Sequence, residues 1–293
     1  DVTGVQTCAL PILSKKIIFI SSYPKSGNTW VRCIISSFLN NQNGKFNFND
    51  LSRTGLFSRE SHFTHLKDLE YQENGNLNFN FISNNWIKAQ QKINKESQGI
   101  RFFKTHSIRE ISNKYFTDQT VCLGFIYIVR DPRDIAISYT HHCGGDLNVA
   151  IETMLYNKKN YASHHKTNEL ISTWKQHLFS WNKFNSVPRL FIKYEDMLSD
   201  TRKILLQIID FINSLTNLSI KKNDNFLENI LNTTSFNNLQ LLENNFGFNE
   251  ATNNSPFFRI GISNQWETGL SQNQKDLIQN ELKIPMKQLG YLV

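Results

Sequence analysis

The 293-residue chain has little that would tie it to an oxidising compartment, a metal or a bilayer. Its four cysteines, Cys8, Cys33, Cys122 and Cys143, show no CxxC spacing and make no disulfide framework. Cys33 and Cys122 stand within apolar segments and read as buried free thiols, and a reducing cytoplasm is the simplest setting. No uninterrupted apolar run approaches membrane-spanning length. His62 and His65 have metal-like spacing but no third ligand nearby, so they read as surface residues. His141 and His142 are neighbours on a helical stretch and do not face each other. The net charge of +7 is a modest excess that fits an anionic ligand, weak nucleic-acid binding or nothing specific, and no basic run or RNA-binding signature supports the nucleic-acid reading. No composition break divides the chain, and its length suits one α/β domain over residues 14–293. The opening DVTGVQTCALPI lacks the basic start of a signal peptide and resembles a translated sequencing adapter. Residues 1–13 are therefore expected to be non-native.

What is present is organised around Ile17 to Leu39. Ile17, Ile18, Phe19 and Ile20 read as a buried strand. A short polar turn follows, and apolar residues then recur at helical spacing at Trp30, Val31, Ile34, Ile35 and Phe38. Strand, tight loop and helix together point backbone N–H groups and a helix N-terminus at an anion. Gly27 permits close approach, Lys25 adds a charge, and Ser26 and Thr29 add hydroxyls. The loop is not a Walker A loop. Aligned on Gly27, the lysine position holds Asn28 and the first glycine position holds Ser22.

YPKSGNTW at Tyr23–Trp30 resembles the 5′-phosphosulfate loop of sulfotransferases that use 3′-phosphoadenosine 5′-phosphosulfate (PAPS). The usual pattern is YPKSGTTW, so Asn28 alone departs. Further stretches resemble the same family in the same order, across roughly Ile17 to Gly290. Lys104-Thr105-His106 ends a strand expected over Ile100–His106. Its lysine and histidine share one face, and strand ends line the ligand crevice of parallel sheets. Arg130 ends the most strand-like run, Val121–Val129, with Asp131 suited to an N-cap and Pro132 to a first helical turn. With Ser138 it resembles the family's 3′-phosphate site. Tyr194-Glu195-Asp196, at the polar end of a strand expected over Arg189–Met197, resembles a segment on the adenine side. Thr234-Ser235-Phe236 resembles the stretch whose aromatic stacks on adenine opposite a loop tryptophan, here Trp30. Phe258-Arg259-Ile260-Gly261 resembles the segment that closes over the cofactor, with Ile260 in place of a lysine.

The resemblance implies a P-loop-like three-layer α/β fold with a central parallel sheet of about five strands flanked by helices. It implies sulfuryl transfer from PAPS to a hydroxyl or amine, without metal. His106 is implied as general base, and Lys25, Lys104 and Ser138 as its catalytic companions. Ser26, Gly27, Asn28 and Thr29 would hold the 5′-phosphate, and Arg130, Ser138 and Arg259 the 3′-phosphate. Trp30, Tyr194, Thr234, Phe236, Phe258 and Gly261 complete the cofactor set. The acceptor stays open between small molecule, lipid, sugar and peptide, because residues 40–80 show little periodicity. No oligomeric state is implied. A P-loop nucleotide kinase and a non-catalytic nucleotide-binding module are the alternatives. A kinase needs a Gly-Lys-Ser/Thr loop and an acidic strand end for Mg²⁺. Helices are expected over 81–97, 147–161, 168–184 and 201–215, with Trp174, Leu178 and Trp181 as core.

Overall fold

A computed structural model describes residues 15–164, 167–251 and 255–292. The expected non-native segment lies outside them. Strand β1 (Ile17–Ser22) runs through the loop into helix α1 (Asn28–Asn40), as its pattern requires. Two short 3₁₀ helices, Phe48–Thr54 and Glu60–His62, lie in the weakly periodic stretch before α2 (Phe79–Glu96). Strand β2 (Arg101–Thr105) precedes a hairpin of β3 (Glu110–Ile111) and β4 (Lys114–Tyr115), and then β5 (Cys122–Val129). Helices α3 (Pro132–Cys143) and α4 (Leu147–Tyr156) lead to a second hairpin, β6 (Tyr161–His164) and β7 (Thr167–Leu170). Helix α5 (Trp174–Asn182), strand β8 (Arg189–Lys193), α6 (Tyr194–Ser199) and α7 (Thr201–Leu215) follow. The chain ends through α8 (Asp224–Thr233), α9 (Phe236–Phe246), α10 (Trp266–Gly269), α11 (Gln272–Glu281) and α12 (Lys283–Gln288).

Strands β2, β1, β5 and β8 pair in that order, all parallel. Among the described residues the sheet has four strands where the resemblance implies about five. At the β2 edge Leu56 makes a single parallel bridge to Lys104, with Phe57 N–H donating to Lys104 O at 3.0 Å. The chain turns away after that bridge, so no further strand develops. Alternation along β1 supplies both faces of the core. Ile18 and Ile20 pack with Val31 and Ile34 of α1 and Ile208 of α7, whereas Ile17 and Phe19 pack with Trp86, Trp174 and Trp181. Helices on both faces give the three-layer arrangement, and Trp174, Leu178 and Trp181 are core as expected.

Four local expectations need correction. Residues 167–170 form a strand, so the helix expected from 168 starts only at Trp174, where the Thr173 side chain accepts from Gln176 N–H. The apolar spacing that suggested the helix runs back into Leu170, whose partner is Tyr161. Tyr161 therefore also lies beyond the helix expected over 147–161, which ends at Tyr156. The strand expected to run to Met197 stops at Lys193, and Tyr194 opens a helix with Glu195 and Asp196 in its first turn. His62 is half-buried rather than a surface residue. Its Nδ1 bonds the Phe57 carbonyl at 2.6 Å, and its ring stacks on Phe57. Cys33 and Cys122 are buried free thiols, and burial pushes the Cys122 thiol up to about 12. No helix among the described residues is long and apolar enough to cross a membrane.

Candidate active site

The carboxyl ends of β1, β2 and β5 open into a cavity of about 1020 Å³. In parallel sheets this edge is where loops and helix N-termini converge on a ligand. Gly27 caps α1 with φ of 100°, and a Cβ there would lie 2.7 Å from the Tyr194 ring. Glycine is therefore required twice, by conformation and by contact. The first N–H groups of α1 lack intrahelical acceptors and carry the positive end of the helix dipole. Lys25 reaches the cavity, with its ammonium 4.3 Å above the Phe257 ring. The Asn28 side chain turns back to the strand and donates to Ile20 O at 3.0 Å and to Ser22 Oγ at 3.3 Å. It braces the loop, leaving its backbone N–H as what it can offer an anion. Ser26 Oγ is likewise buried, with no hydrogen-bond partner among the described residues.

Lys104 and His106 both line the cavity, as their spacing on β2 requires, while Thr105 points the other way. His106 Nδ1 lies 2.7 Å from the Ser22 carbonyl oxygen. A carbonyl only accepts, so Nδ1 carries the proton and Nε2 is the basic nitrogen of the neutral ring. The end of β1 thus fixes both the anion loop and the tautomer of the neighbouring imidazole.

Arg130 ends β5. It donates from Nη1 to Lys25 O at 3.1 Å and from Nη2 to Ile262 O at 2.9 Å, and its guanidinium lies 4.2 Å from the Tyr194 ring centre. Its Nε is buried without a hydrogen-bond partner among the described residues. Arg259 lines the same cavity and is held below its ordinary pKa by burial and by the Arg130 charge. Two guanidiniums pressing on each other, one with an orphaned N–H, fit an anion of the phosphate type. Ser138 on α3 also lines the cavity. Asp131 caps α3 through Arg133 N–H and pairs with the Arg133 guanidinium at 2.6 Å. It is thereby engaged away from the Mg²⁺ role that a kinase would give it.

The aromatic residues divide. Trp30 donates from Nε1 to Thr234 O at 2.9 Å and meets Tyr194 edge-on. Phe236 packs so closely on Gly261 that a Cβ there would come within 2.2 Å of its ring. Both Trp30 and Phe236 line the cavity, as do Tyr194, Phe258 and Gly261. Thr234 offers its carbonyl to Trp30, but its hydroxyl is buried on Ile230 O at 2.7 Å, so its side chain supports the wall rather than a ligand.

A family model described as "Sulfotransferase domain" matches residues 15–290. The chain belongs to the sulfotransferase family. It is similar to sulfotransferase 1E1 of Cavia porcellus, 27% identical over 267 residues, covering 85% of this chain and 76% of that one. It is also similar to sulfotransferase 1B1 of Canis lupus familiaris, 28% identical over 270 residues, covering 88% and 80%. A mouse sulfotransferase complexed with PAP shares the fold at a TM-score of 0.58 and 20% identity, covering 93% of this chain and 84% of that one. A retinol dehydratase in complex with androsterone and the inactive cofactor PAP does so at 0.61 and 18%, covering 93% and 81%.

In this sulfotransferase, residues that sequence reasoning missed line the cavity or stand behind its wall. The Glu250 carboxylate lies between Arg32 Nη1 at 2.5 Å and Lys104 Nζ at 2.8 Å, and Thr29 Oγ1 is 3.5 Å away. Burial opposes its charge, but Lys104 and Arg32 outweigh that and hold it well below the usual carboxylate range. Asp134, buried on α3, accepts from Asn264 N–H at 2.9 Å and Trp266 N–H at 3.0 Å, anchoring the segment that follows Arg259. Behind His106, His177 bonds the Tyr127 hydroxyl at 2.9 Å through Nδ1 and the His106 carbonyl at 3.1 Å through Nε2. None of these has a signal in sequence spacing, because each partner lies dozens of residues away.

Proposed function

We propose that this sulfotransferase moves a sulfuryl group from PAPS to a hydroxyl or amine of a small-molecule acceptor, with His106 as general base. The observation that carries the reading is the bond from His106 Nδ1 to Ser22 O, which turns the basic Nε2 into a fixed part of the anion loop. Loop N–H groups from Ser26, Gly27, Asn28 and Thr29 would hold the 5′-phosphate. Arg130, Arg259 and Ser138 would hold the 3′-phosphate. The adenine would lie between Trp30 and Phe236, a sound way to hold a purine.

His106 Nε2 takes the acceptor proton as the acceptor oxygen or nitrogen bonds to sulfur and the bond from sulfur to the bridging phosphate oxygen breaks. Lys25 stabilises the charge that gathers on that oxygen, and Lys104 supports the sulfuryl oxygens. Ser138 helps position Lys25. Charge stabilisation and in-line positioning suffice for such a transfer, so the reading needs no metal. The name of one relative, a luciferin sulfotransferase of Photinus pyralis, supports a small-molecule acceptor. Leu56, Ala162, Ile171, Tyr139 and Tyr161 give the cavity an apolar and aromatic wall that suits such a molecule.

Ligand preference tests the reading. 3′,5′-Adenosine diphosphate should raise the melting temperature without magnesium, and labelled PAPS should transfer its label within a panel of phenols, alcohols and amines. Stabilisation by Mg·ATP alone would reject it in favour of a kinase. Nucleotide binding without transfer to any acceptor would leave a non-catalytic module.

A further inference from the structure

We propose that Glu169 is a positioning residue for the base: its buried carboxylate holds the backbone that carries His106 and steadies the imidazolium formed when His106 takes the acceptor proton. The inference rests on the reading of His106 given above. Glu169 enters from β7, paired with Ala162 of β6, and is fully buried. Its Oε1 accepts from Thr105 Oγ1 at 2.8 Å, from the His106 N–H at 3.0 Å and from Ser107 Oγ at 3.4 Å. These donors belong to consecutive residues at the end of β2. On the other side, His177 Nε2 donates to the His106 carbonyl at 3.1 Å, and Trp181 Nε1 donates to the Ser107 carbonyl at 3.0 Å. The peptide groups flanking the base are thus tied to side chains from two elements, β7 and α5.

Geometry alone does not call for an acid here. Burying a carboxylate costs far more than burying an amide, and a glutamine could accept the same hydrogen bonds. A negative charge held against the backbone of His106 acts on what surrounds that residue. Lys25, Lys104, Arg32 and Arg59 line the same cavity and oppose a positive imidazole. The carboxylate that lines the cavity, Glu250, is paired with Arg32 and Lys104. His142, Tyr139, Tyr161 and Tyr194 also line the cavity, and His177 and Tyr127 lie behind, the former kept neutral by burial. Glu169 is the carboxylate hydrogen-bonded to the base's own residue, and it offsets the cations at the moment the proton arrives.

The test uses the full chain saturated with 3′,5′-adenosine diphosphate. The His106 imidazole is followed by histidine-selective NMR and identified by its loss in His106→Ala. Glu169→Gln, which keeps the acceptor and removes the charge, should lower the His106 titration midpoint by about half a unit or more. Its melting temperature should stay near that of the wild type. With labelled PAPS and 2-naphthol, kcat should fall about tenfold and the KM for PAPS should hold. Glu169→Asp, which keeps the charge on a shorter arm, should keep the midpoint and lose kcat. An unchanged midpoint in Glu169→Gln, or wild-type kcat in Glu169→Asp, would overturn the proposal. Turnover that survives in His106→Ala would remove the base itself and Glu169 with it. A dead His106→Ala beside a wild-type Glu169→Gln would remove Glu169 alone.

Discussion

The Glu250 carboxylate stands 2.8 Å from the Lys104 ammonium, on the residue proposed to support the sulfuryl oxygens. An internal anion thus sits where the donor would bring its own, and the two compete for Lys104 and Arg32. Glu250→Gln should tighten binding of PAPS by on the order of 1 kcal/mol, about fivefold. Titration calorimetry measures it. Equal or weaker binding would mean that the carboxylate stays in place and orients Lys104 for the donor.

Arg130 holds two backbone carbonyls and has one buried N–H without a partner among the described residues. Arg130→Ala should weaken 3′,5′-adenosine diphosphate by about 2 kcal/mol, as expected for a charge-assisted hydrogen bond. Adenosine 5′-phosphosulfate, which lacks the 3′-phosphate, should lose little. Equal losses for both ligands would exclude Arg130 from the 3′-phosphate.

Gly261 has φ of 68°, and a Cβ would meet Phe236 at 2.2 Å. Gly261→Ala should displace the Phe236 ring and cost about 1–3 kcal/mol of stability. Nucleotide affinity should fall with it. Unchanged affinity would show that Phe236 does not touch the purine.

His177 supplies the pH dependence. Burial lowers its imidazole to about 3, from an ordinary 6.5. The unfolded chain takes up a proton that the folded chain refuses. Its contribution to stability is therefore whole above pH 6.5 and is lost as pH falls from there towards 3, by at most about 1.4 kcal/mol per pH unit. Denaturation at pH 7.5, 6.0 and 5.0 should show the loss, and His177→Asn should flatten the slope. Parallel slopes for the two proteins would place the acid sensitivity elsewhere.

The parts of the fold and site legible in the sequence are those built from short-range pattern. Tyr23–Trp30, Lys104-Thr105-His106 and Arg130-Asp131-Pro132 each occupy one strand end, so strand, turn and cap signals coincide with the chemistry. Glu169 was hidden inside an apparent helix, because Leu170, Trp174, Leu178 and Trp181 keep a helical spacing that only pairing with β6 interrupts. Tyr194 was misplaced for the opposite reason. Alternation ends at Ile192, and nothing local says whether the acidic residues beyond it extend a strand or start a helix. Glu250 lies 146 residues from Lys104, and no periodicity links them.

The end of β1 and the loop after it give two carbonyl oxygens to different partners, Ser22 O to His106 and Lys25 O to Arg130. In the proposed function, donor recognition and proton abstraction therefore share one short piece of backbone. On that reading, a drift in this piece of backbone would disturb both at once. Peripheral parts of the wall, such as the 3₁₀ segment Phe48–Thr54, stand apart from those peptide groups, so a change of acceptor is accommodated there at least cost to both tasks.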